Sequence, residues 1–297
     1  MTRPHISILI ATHNCLDLTQ RCFATLTASL EGAPDYEIIV VDDCSTDGTA
    51  QFLDSLGAPY RILHNSERGS FALNNNRAAA IAQGEIFCCL NNDTELAGAW
   101  WQPMLDALQR FDDAGCIGNV QRLPDTQRYD HFGVCFPAWL TPLHYGQHRK
   151  TPPHFDSPYS RWGAVTGACL MIRRERFFEV GGFNSEYING CEDVDLCLRL
   201  HRKGYWHYVA HASEIVHVKG ASPGRKTHNE RNLVRLKQIH ANYLRQHLVP
   251  RDAALAAASY LRGAWAAPSK INAGKLIRSA ATLIRPRKGG LRQPECF

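Results

Sequence analysis

No apolar run in the 297-residue sequence approaches the ~20 residues that a bilayer-spanning helix needs. No long apolar segment with a small-residue cleavage site follows Met1, so no secretory leader is expected and the eleven cysteines are read in a reducing compartment. None of them stands in a C-x-x-C pair, so neither a zinc site nor a disulfide framework is expected, and most should be small buried hydrophobes. Glycine (22) and proline (15) are ordinary in number, which excludes collagen-like and low-complexity classes. There is no internal repeat. The first strand-like run ends on Thr12-His13-Asn14-Cys15 in place of a G-x-G-x-x-G turn. Gly274-Lys275-Leu276 lacks both the earlier glycine and the hydroxyl residue of a P-loop. A dinucleotide-dependent oxidoreductase and a P-loop enzyme are therefore disfavoured.

A strongly charged body is also missing. The formal charge is +5, but residues 246–297 hold nine Lys/Arg against Asp252 and Glu295, a net +7, which leaves −2 for residues 1–245. A near-neutral body argues against nucleic acid as a partner. The basic tail is suited to anionic lipid or another acidic partner.

What is present is a globular composition, 44% hydrophobic and 21% charged, in a chain long enough to bury roughly 70–75% of its unfolded surface. Strand and helix signals alternate through the first half. Strands are predicted at Ile6–Ala11, Glu37–Val41, Tyr60–His64 and Ile86–Leu90, and helices at 17–30, 48–56 and 70–83. Near-continuous apolar strands between helices predict a parallel sheet covered on both faces. The second half is less regular. It predicts strand and loop over 116–145, a strand over Ala164–Arg173, a short helix over Arg174–Val180, a helix over 192–204, one or two strands over Trp206–His217, and a helix over 228–247 ended by Pro250.

In parallel sheets ligands bind beyond the carboxyl ends of the strands. Three polar clusters fall there: Thr12-His13-Asn14, Asp42-Asp43 and Asn91-Asn92-Asp93. Asp42 or Asp43 would accept from a base imide or a ribose hydroxyl, or else cap the turn that follows. Asp93 would be one carboxylate on a divalent cation bridging two phosphates, or the N-cap of a helix starting near Leu96. Glu192-Asp193-Val194-Asp195 opens a helix, where carboxylates cap and offset the dipole, or where one acts as a general base. His217, at another strand end, is a metal ligand, an acceptor contact or an ordinary core histidine.

The ordered set of segments resembles the large family 2 of inverting glycosyltransferases with the GT-A fold. The segments are Ser7–Asn14, Ile39–Thr49, Leu73–Arg77, Leu90–Thr94, Thr166–Ile172, Gly181-Gly182-Phe183 and Gly190–Arg199, over roughly residues 5–220. The rhamnosyltransferase-like enzymes of surface polysaccharide and lipopolysaccharide assembly are the most similar subgroup. The resemblance implies an α/β fold with a mostly parallel central sheet flanked by helices. It implies a catalytic domain over 1–245 and a basic helical extension over 246–297. Thr12 and Asn14 would line the nucleotide pocket, Asp42 or Asp43 would contact uracil or thymine, and Asn76 and Arg77 would lie near the nucleotide or its phosphates. Asn91, Asn92 and Asp93 occupy the place of the D-x-D motif, with Asp93 as the surviving carboxylate on Mn2+ or Mg2+ and His217 as a further ligand. Asp193 matches the general base and Glu192 its neighbour. Trp162-Gly163 and Thr166-Gly167 would shape the acceptor side. The departure is Asn91, where the motif's first carboxylate is absent, which puts metal dependence in question more than activity.

The expected reaction moves a sugar from a UDP- or dTDP-sugar to a hydroxyl of a glycan or lipid-linked acceptor. A non-catalytic nucleotide-sugar or glycan binder on the same fold is the alternative. The expected location is cytoplasmic, peripheral at the inner face of the plasma membrane, with the tail as an amphipathic basic element touching the membrane or as a helix packed on the body.

Overall fold

Period-two alternation in the first strands sends successive side chains to opposite faces and so defines two cores. In β1 (Ile6–Thr12), Ile6, Ile8 and Ile10 join one core and Leu9 the other. In β2 (Tyr36–Asp42), Ile38 and Val40 divide from Ile39 and Val41 in the same way. Each buried Ile, Leu or Val contributes about 1.5–3 kcal/mol relative to an exposed one, so register is fixed by both faces at once. The structure is a computed structural model that describes residues 5–124, 128–219, 227–266 and 272–284.

Helix α1 (Leu16–Ser29) follows β1, α2 (Thr49–Asp54) follows β2, and β3 (Tyr60–His64) leads into α3 (Phe71–Ile81) and β4 (Ile86–Asn91). These strands pair in parallel in the order β4-β1-β2-β3. After β4 come β5 (Thr94–Leu96), α4 (Trp101–Arg110) and β6 (Ala114–Arg122), then the short strands β7 (Tyr129–His131), β8 (Val134–Cys135), β9 (Leu143–His144) and β10 (Tyr159–Trp162). Strand β11 (Cys169–Arg173), α5 (Arg174–Glu179), α6 (Glu192–Arg202) and β12 (Trp206–His217) complete the α/β body. Strand β11 inserts antiparallel between β4 and β6, and β12 runs parallel to β6. Helices α1 and α4 cover one face, and α3, α6 and α7 (Asn229–Tyr243) the other.

Four expectations need correcting. No helix starts near Leu96: residues 94–96 form β5, because the end of β12 takes them as an antiparallel partner, and the helix waits until Trp101. The strand expected from Ala164 begins only at Cys169, which leaves Thr166-Gly167-Ala168 as a loop. Pro250 does not end the last helix. Helical backbone runs on through a π turn over Leu244–Leu248 into α8 (Val249–Ala266), and the π turn, whose hydrogen-bond register is shifted, stands just before the proline that would break a regular ladder. Trp162-Gly163 belongs to the core: Trp162 is buried, and a Cβ on Gly163 would sit 2.8 Å from Leu248 Cδ1.

The C-terminal helices pack on the body. Leu248, Ala256 and Ala257 are buried, and the Phe136 N–H donates to Asp252 Oδ2 at 3.1 Å. Helix α9 (Ala273–Ile284) rests on α8. Gly220, Ala267, Lys270, Ile271 and the basic residues from Arg285 onward lie outside the described residues. Seven of the ten described cysteines are buried and none is bonded to another. Cys116, Cys197 and His207 do converge. Both ring nitrogens of His207 are engaged, Nδ1 by the Cys116 N–H at 3.0 Å and Nε2 by the Cys197 carbonyl at 2.9 Å, so the trio is core packing.

Candidate active site

A cleft of about 440 Å³ opens beyond the carboxyl ends of β1, β2 and β4, where the topology rule places it. Its lining comes from the strand ends (Ala11, Thr12, Asp43 and Asn91–Asp93) and from Thr166–Ala168, the loop 189–191, Glu192, Asp193 and Asn229 of α7.

Strand pairing builds the first end of the cleft. The Thr94 hydroxyl donates to the Asn91 carbonyl at 2.8 Å and turns the chain sharply out of β4. The antiparallel register then sets Thr94 opposite His217, and the Val218 N–H donates to the Asp93 carbonyl at 2.8 Å. The result is a buried pair, with His217 Nε2 3.2 Å from Asp93 Oδ1 and the two residues 2% and 8% exposed. The other ring nitrogen, Nδ1, faces Gln121 Oε1 at 3.1 Å. A carbonyl oxygen there accepts from Nδ1–H and so turns Nε2 to the carboxylate, a spacing that a proton or a cation can bridge. One imidazole and one carboxylate, with the imidazole oriented from behind by an amide, suit Mn2+ or Mg2+ when water and phosphate complete the shell. Asn91 lines the cleft beside the pair and adds no charge. Asn92 is spent on structure: its Nδ2 donates to Thr12 Oγ1 at 3.0 Å and Thr19 Oγ1 at 2.9 Å.

Of the two carboxylates after β2, Asp43 lines the cleft and Asp42 does not. Neighbours in an extended chain point opposite ways. Asp42 faces His64 Nδ1 at 3.2 Å and accepts from the Ser45 N–H, a turn-holding role. Asp43 Oδ1 accepts from the Gly69 N–H and from Asn65 Nδ2, both at 2.7 Å. Arg68, which sequence reasoning missed, enters the cleft wall with Nε 3.6 Å from Asp43 Oδ2. It follows the end of β3, so the strand-end rule would have found it. Asn14 lies outside the lining and holds the turn after β2, its Oδ1 accepting from the Thr46 N–H at 2.7 Å. Asn76 and Arg77 also lie outside. Asn76 clamps Phe183 through both backbone groups, Nδ2 to O at 2.8 Å and N–H to Oδ1 at 2.9 Å. Arg77 donates to the His64 carbonyl at 2.9 Å.

A loop builds the second end. Asn189, Gly190 and Cys191 all have positive φ (50°, 156° and 70°), which swings the chain abruptly into α6. Buried Asn232 of α7 clamps this loop as Asn76 clamps Phe183: the Ile188 N–H donates to its Oδ1 at 3.3 Å and its Nδ2 donates to the Ile188 carbonyl at 2.8 Å. Asn189 Oδ1 accepts from the Phe71 N–H at 3.0 Å. The loop delivers Asp193 to the cleft. Oδ2 accepts from the Gly167 N–H and Oδ1 from the Val194 N–H, both at 2.8 Å. A carboxylate has about four acceptor sites, so a hydroxyl can still approach. Glu192 also lines the cleft but folds back to accept from the Gly190 N–H. Asp195 points into the core, bonded to His240 Nε2 at 2.8 Å and Arg199 Nε at 2.7 Å. Burial pushes its carboxyl up, yet the His240 bond and Arg199 bring it below the usual range.

Lys219 and His144 complete the wall near His217. Lys219 Nζ donates to buried Asp130 Oδ2 at 2.8 Å. Burial raises the Asp130 carboxyl, but His144 and Lys219 more than offset this and hold it well below the ordinary carboxylate range. Nothing in the local sequence around Asp130 signals this pairing across 89 residues.

Residues 7–180 match the model of glycosyl transferase family 2, and residues 148–219 match one described as the N-terminal domain of galactosyltransferase. The chain is 28% identical over 265 residues to an N-acetylglucosaminyl-diphospho-decaprenol L-rhamnosyltransferase of Mycobacterium tuberculosis, covering 77% of this chain and 83% of that protein. An O-antigen biosynthesis protein of Myxococcus xanthus is 27% identical over 230 residues, covering 74% of this chain and 18% of its own length. An uncharacterized protein of Sinorhizobium fredii is 30% identical over 235 residues, 75% of this chain and 25% of that protein. The chain thus spans a quarter or less of the latter two relatives. Among solved structures, GalNAc-T7 with UDP, GalNAc and Mn2+ superposes at a TM-score of 0.65 with 16% identity, over 80% of this chain and 48% of that one. A mannosyltransferase from Pyrobaculum calidifontis in complex with GDP-Man and Mn2+ superposes at 0.56 with 19% identity, over 95% and 75%. At these identities the likeness is one of fold, the GT-A arrangement of a central sheet flanked by helices.

Proposed function

The chain belongs to glycosyl transferase family 2, and from that premise we propose that it moves a sugar from a UDP- or dTDP-linked donor to a hydroxyl of a glycan or lipid-linked acceptor, with inversion, in surface polysaccharide biosynthesis. One observation carries the reading: the Asp93–His217 pair and the anchored carboxylate of Asp193 line a single cleft. The M. tuberculosis relative's name supports a deoxyhexose and a lipid diphosphate acceptor, and the Mn2+ named with both structural neighbours supports a divalent cation.

Asp193 takes the proton of the acceptor hydroxyl while that oxygen forms a bond to the anomeric carbon. The carbon's bond to the diphosphate breaks on the opposite face, and the nucleoside diphosphate leaves with the electron pair. One displacement inverts the centre, whereas double displacement would need a carboxylate nucleophile. The Gly167 and Val194 amides hold the carboxylate in place through the step. Asp93 and His217 would hold the cation, which supplies positive charge against the charge growing on the diphosphate. Asp43 would meet the base or ribose, and Arg68 the phosphates. A non-catalytic binder would have no use for a cleft-facing carboxylate held by two backbone amides. We place the reaction at the inner face of the plasma membrane, with residues 1–245 as the catalytic unit and 246–297 as its membrane-facing extension.

The test is a thermal-shift screen of UDP, dTDP and GDP with Mn2+ or Mg2+, since a ligand that binds the folded state raises its apparent stability. The expected result is a cation-dependent rise with UDP or dTDP, followed by acceptor-dependent consumption of the matching sugar nucleotide. No response to any nucleotide with either cation would overturn the proposal.

A further inference from the structure

Among the described residues, the three most exposed large apolar side chains all lie on the C-terminal helices: Trp265 at 90%, Ile284 at 81% and Ile277 at 68%. On α9, Ile277, Ala280, Ala281 and Ile284 recur at three- and four-residue spacing, which sets them in one stripe. All four are exposed, while Ser279 is buried and Leu276 and Leu283 are half-buried, so α9 turns a second apolar face outward after packing on α8. From Ala253 to Pro294 the sequence has eight Lys/Arg and no acidic residue. No helix among the described residues is long and apolar enough to cross a membrane.

We propose that α9 and Trp265 form a docking face for an anionic lipid bilayer, with α9 lying in the interfacial plane. The apolar stripe enters the headgroup boundary, Lys275 and Arg278 on the same helix meet lipid phosphates, and Trp265 sits at the depth that indole rings favour. Charge selects this occupant over a second copy of the chain, because two such faces would bring like-charged basic segments together, whereas an anionic surface neutralises them.

A second groove, formed in part by α8, shares a lining residue with the cleft. This groove of about 150 Å³ between β9 and α8 is lined by Leu143, His144, Tyr260, Gly263 and Ala264, among others. Ala264 adjoins Trp265, and the Tyr260 hydroxyl accepts from the Asn272 N–H at 3.0 Å at the start of α9. His144 lines both this groove and the cleft. A lipid-borne hydroxyl would pass along this groove, by His144, toward Asp193. That route rests on the transferase reading; the dock does not.

The experiment is co-sedimentation of the full chain with vesicles of phosphatidylglycerol and phosphatidylcholine in equal parts, and with phosphatidylcholine alone, without donor or acceptor. A variant carrying Trp265→Ser, Ile277→Asp and Ile284→Asp changes only exposed positions, and its thermal unfolding checks that it folds. The expected result is salt-sensitive pelleting with the anionic vesicles and a partition about tenfold or more lower for the variant, with soluble donor turnover unchanged. Wild type that stays in the supernatant, or a variant that pellets equally, overturns the dock. A dimer seen by light scattering that the variant dissolves, with neither protein pelleting, assigns the stripe to self-association instead. Each of these failures leaves the transferase reading untouched.

Discussion

The two ends of the cleft are built by different devices. At the end we assign to the donor, register fixes the groups: β5 against β12 brings Asp93 to His217, and β1 beside β4 sets Thr12 near Asn92. At the end we assign to the acceptor, three consecutive residues with positive φ swing Asp193 into place, and Asn232, 44 positions from the Ile188 it bonds, holds the loop. A sheet end is hard to deform without breaking several ladder bonds, whereas a loop clamped by side chains can be re-aimed by one substitution. The contrast predicts that damage at the donor end appears as lost metal and nucleotide affinity, and damage at the acceptor end as lost turnover with binding preserved.

Asp193→Asn tests this most severely. It should lower kcat about 10²–10⁴-fold, the range for a lost general base, with nucleotide Kd by calorimetry unchanged. Gln121→Ala removes the amide that orients His217 and should weaken Mn2+ affinity about 10–100-fold, with kcat largely restored at saturating metal. Equal loss of kcat at every Mn2+ concentration would break the comparison. Gly167→Ala places a Cβ 3.2 Å from Asp193 Cβ. It should cost about tenfold in kcat by shifting the base a few tenths of an ångström, without moving donor affinity.

The smallest effect on turnover is expected from Asp252→Asn, on α8 against Phe136. Burial pushes the Asp252 carboxyl up to about 7, with Arg251 and the Phe136 N–H acting the other way. The folded state thus binds a proton that the unfolded chain releases near 4, and stability falls as pH rises from about 4 to 7, by at most about 4 kcal/mol. The asparagine variant should flatten that fall in melting temperature between pH 5 and 8 and leave kcat unchanged at a pH where both are folded.

The donor end was largely legible in the sequence because apolar strands and their polar ends are local signals. Thr12, Asp43, Asn91 and Asp93 all fall by one topology rule. The rule does not say which of two adjacent carboxylates faces inward, and Asp42 and Asp43 are separated only by the side of the extended chain each occupies. Asn76 was expected near the nucleotide on the family resemblance alone, and in the structure it lies outside the cleft lining. It is a backbone clamp, and that depends on Phe183 arriving 107 residues later. On the Asp193 side, Glu192-Asp193 and Thr166-Gly167 were legible and do line the cleft, whereas Trp162-Gly163 is core. Asn189 and Asn229 there, and His144 and Lys219 near His217, reach the cleft through contacts between distant segments, and Pro250 misled because a π turn lets the helix run past it.

The configuration of the product at the anomeric carbon tests the single-displacement account most directly. It is read from the one-bond carbon–hydrogen coupling after transfer to a soluble acceptor. The proposed single base, acting without a carboxylate nucleophile, predicts inversion relative to the donor. Retention would contradict it and would require a carboxylate to attack the sugar in place of deprotonating the alcohol.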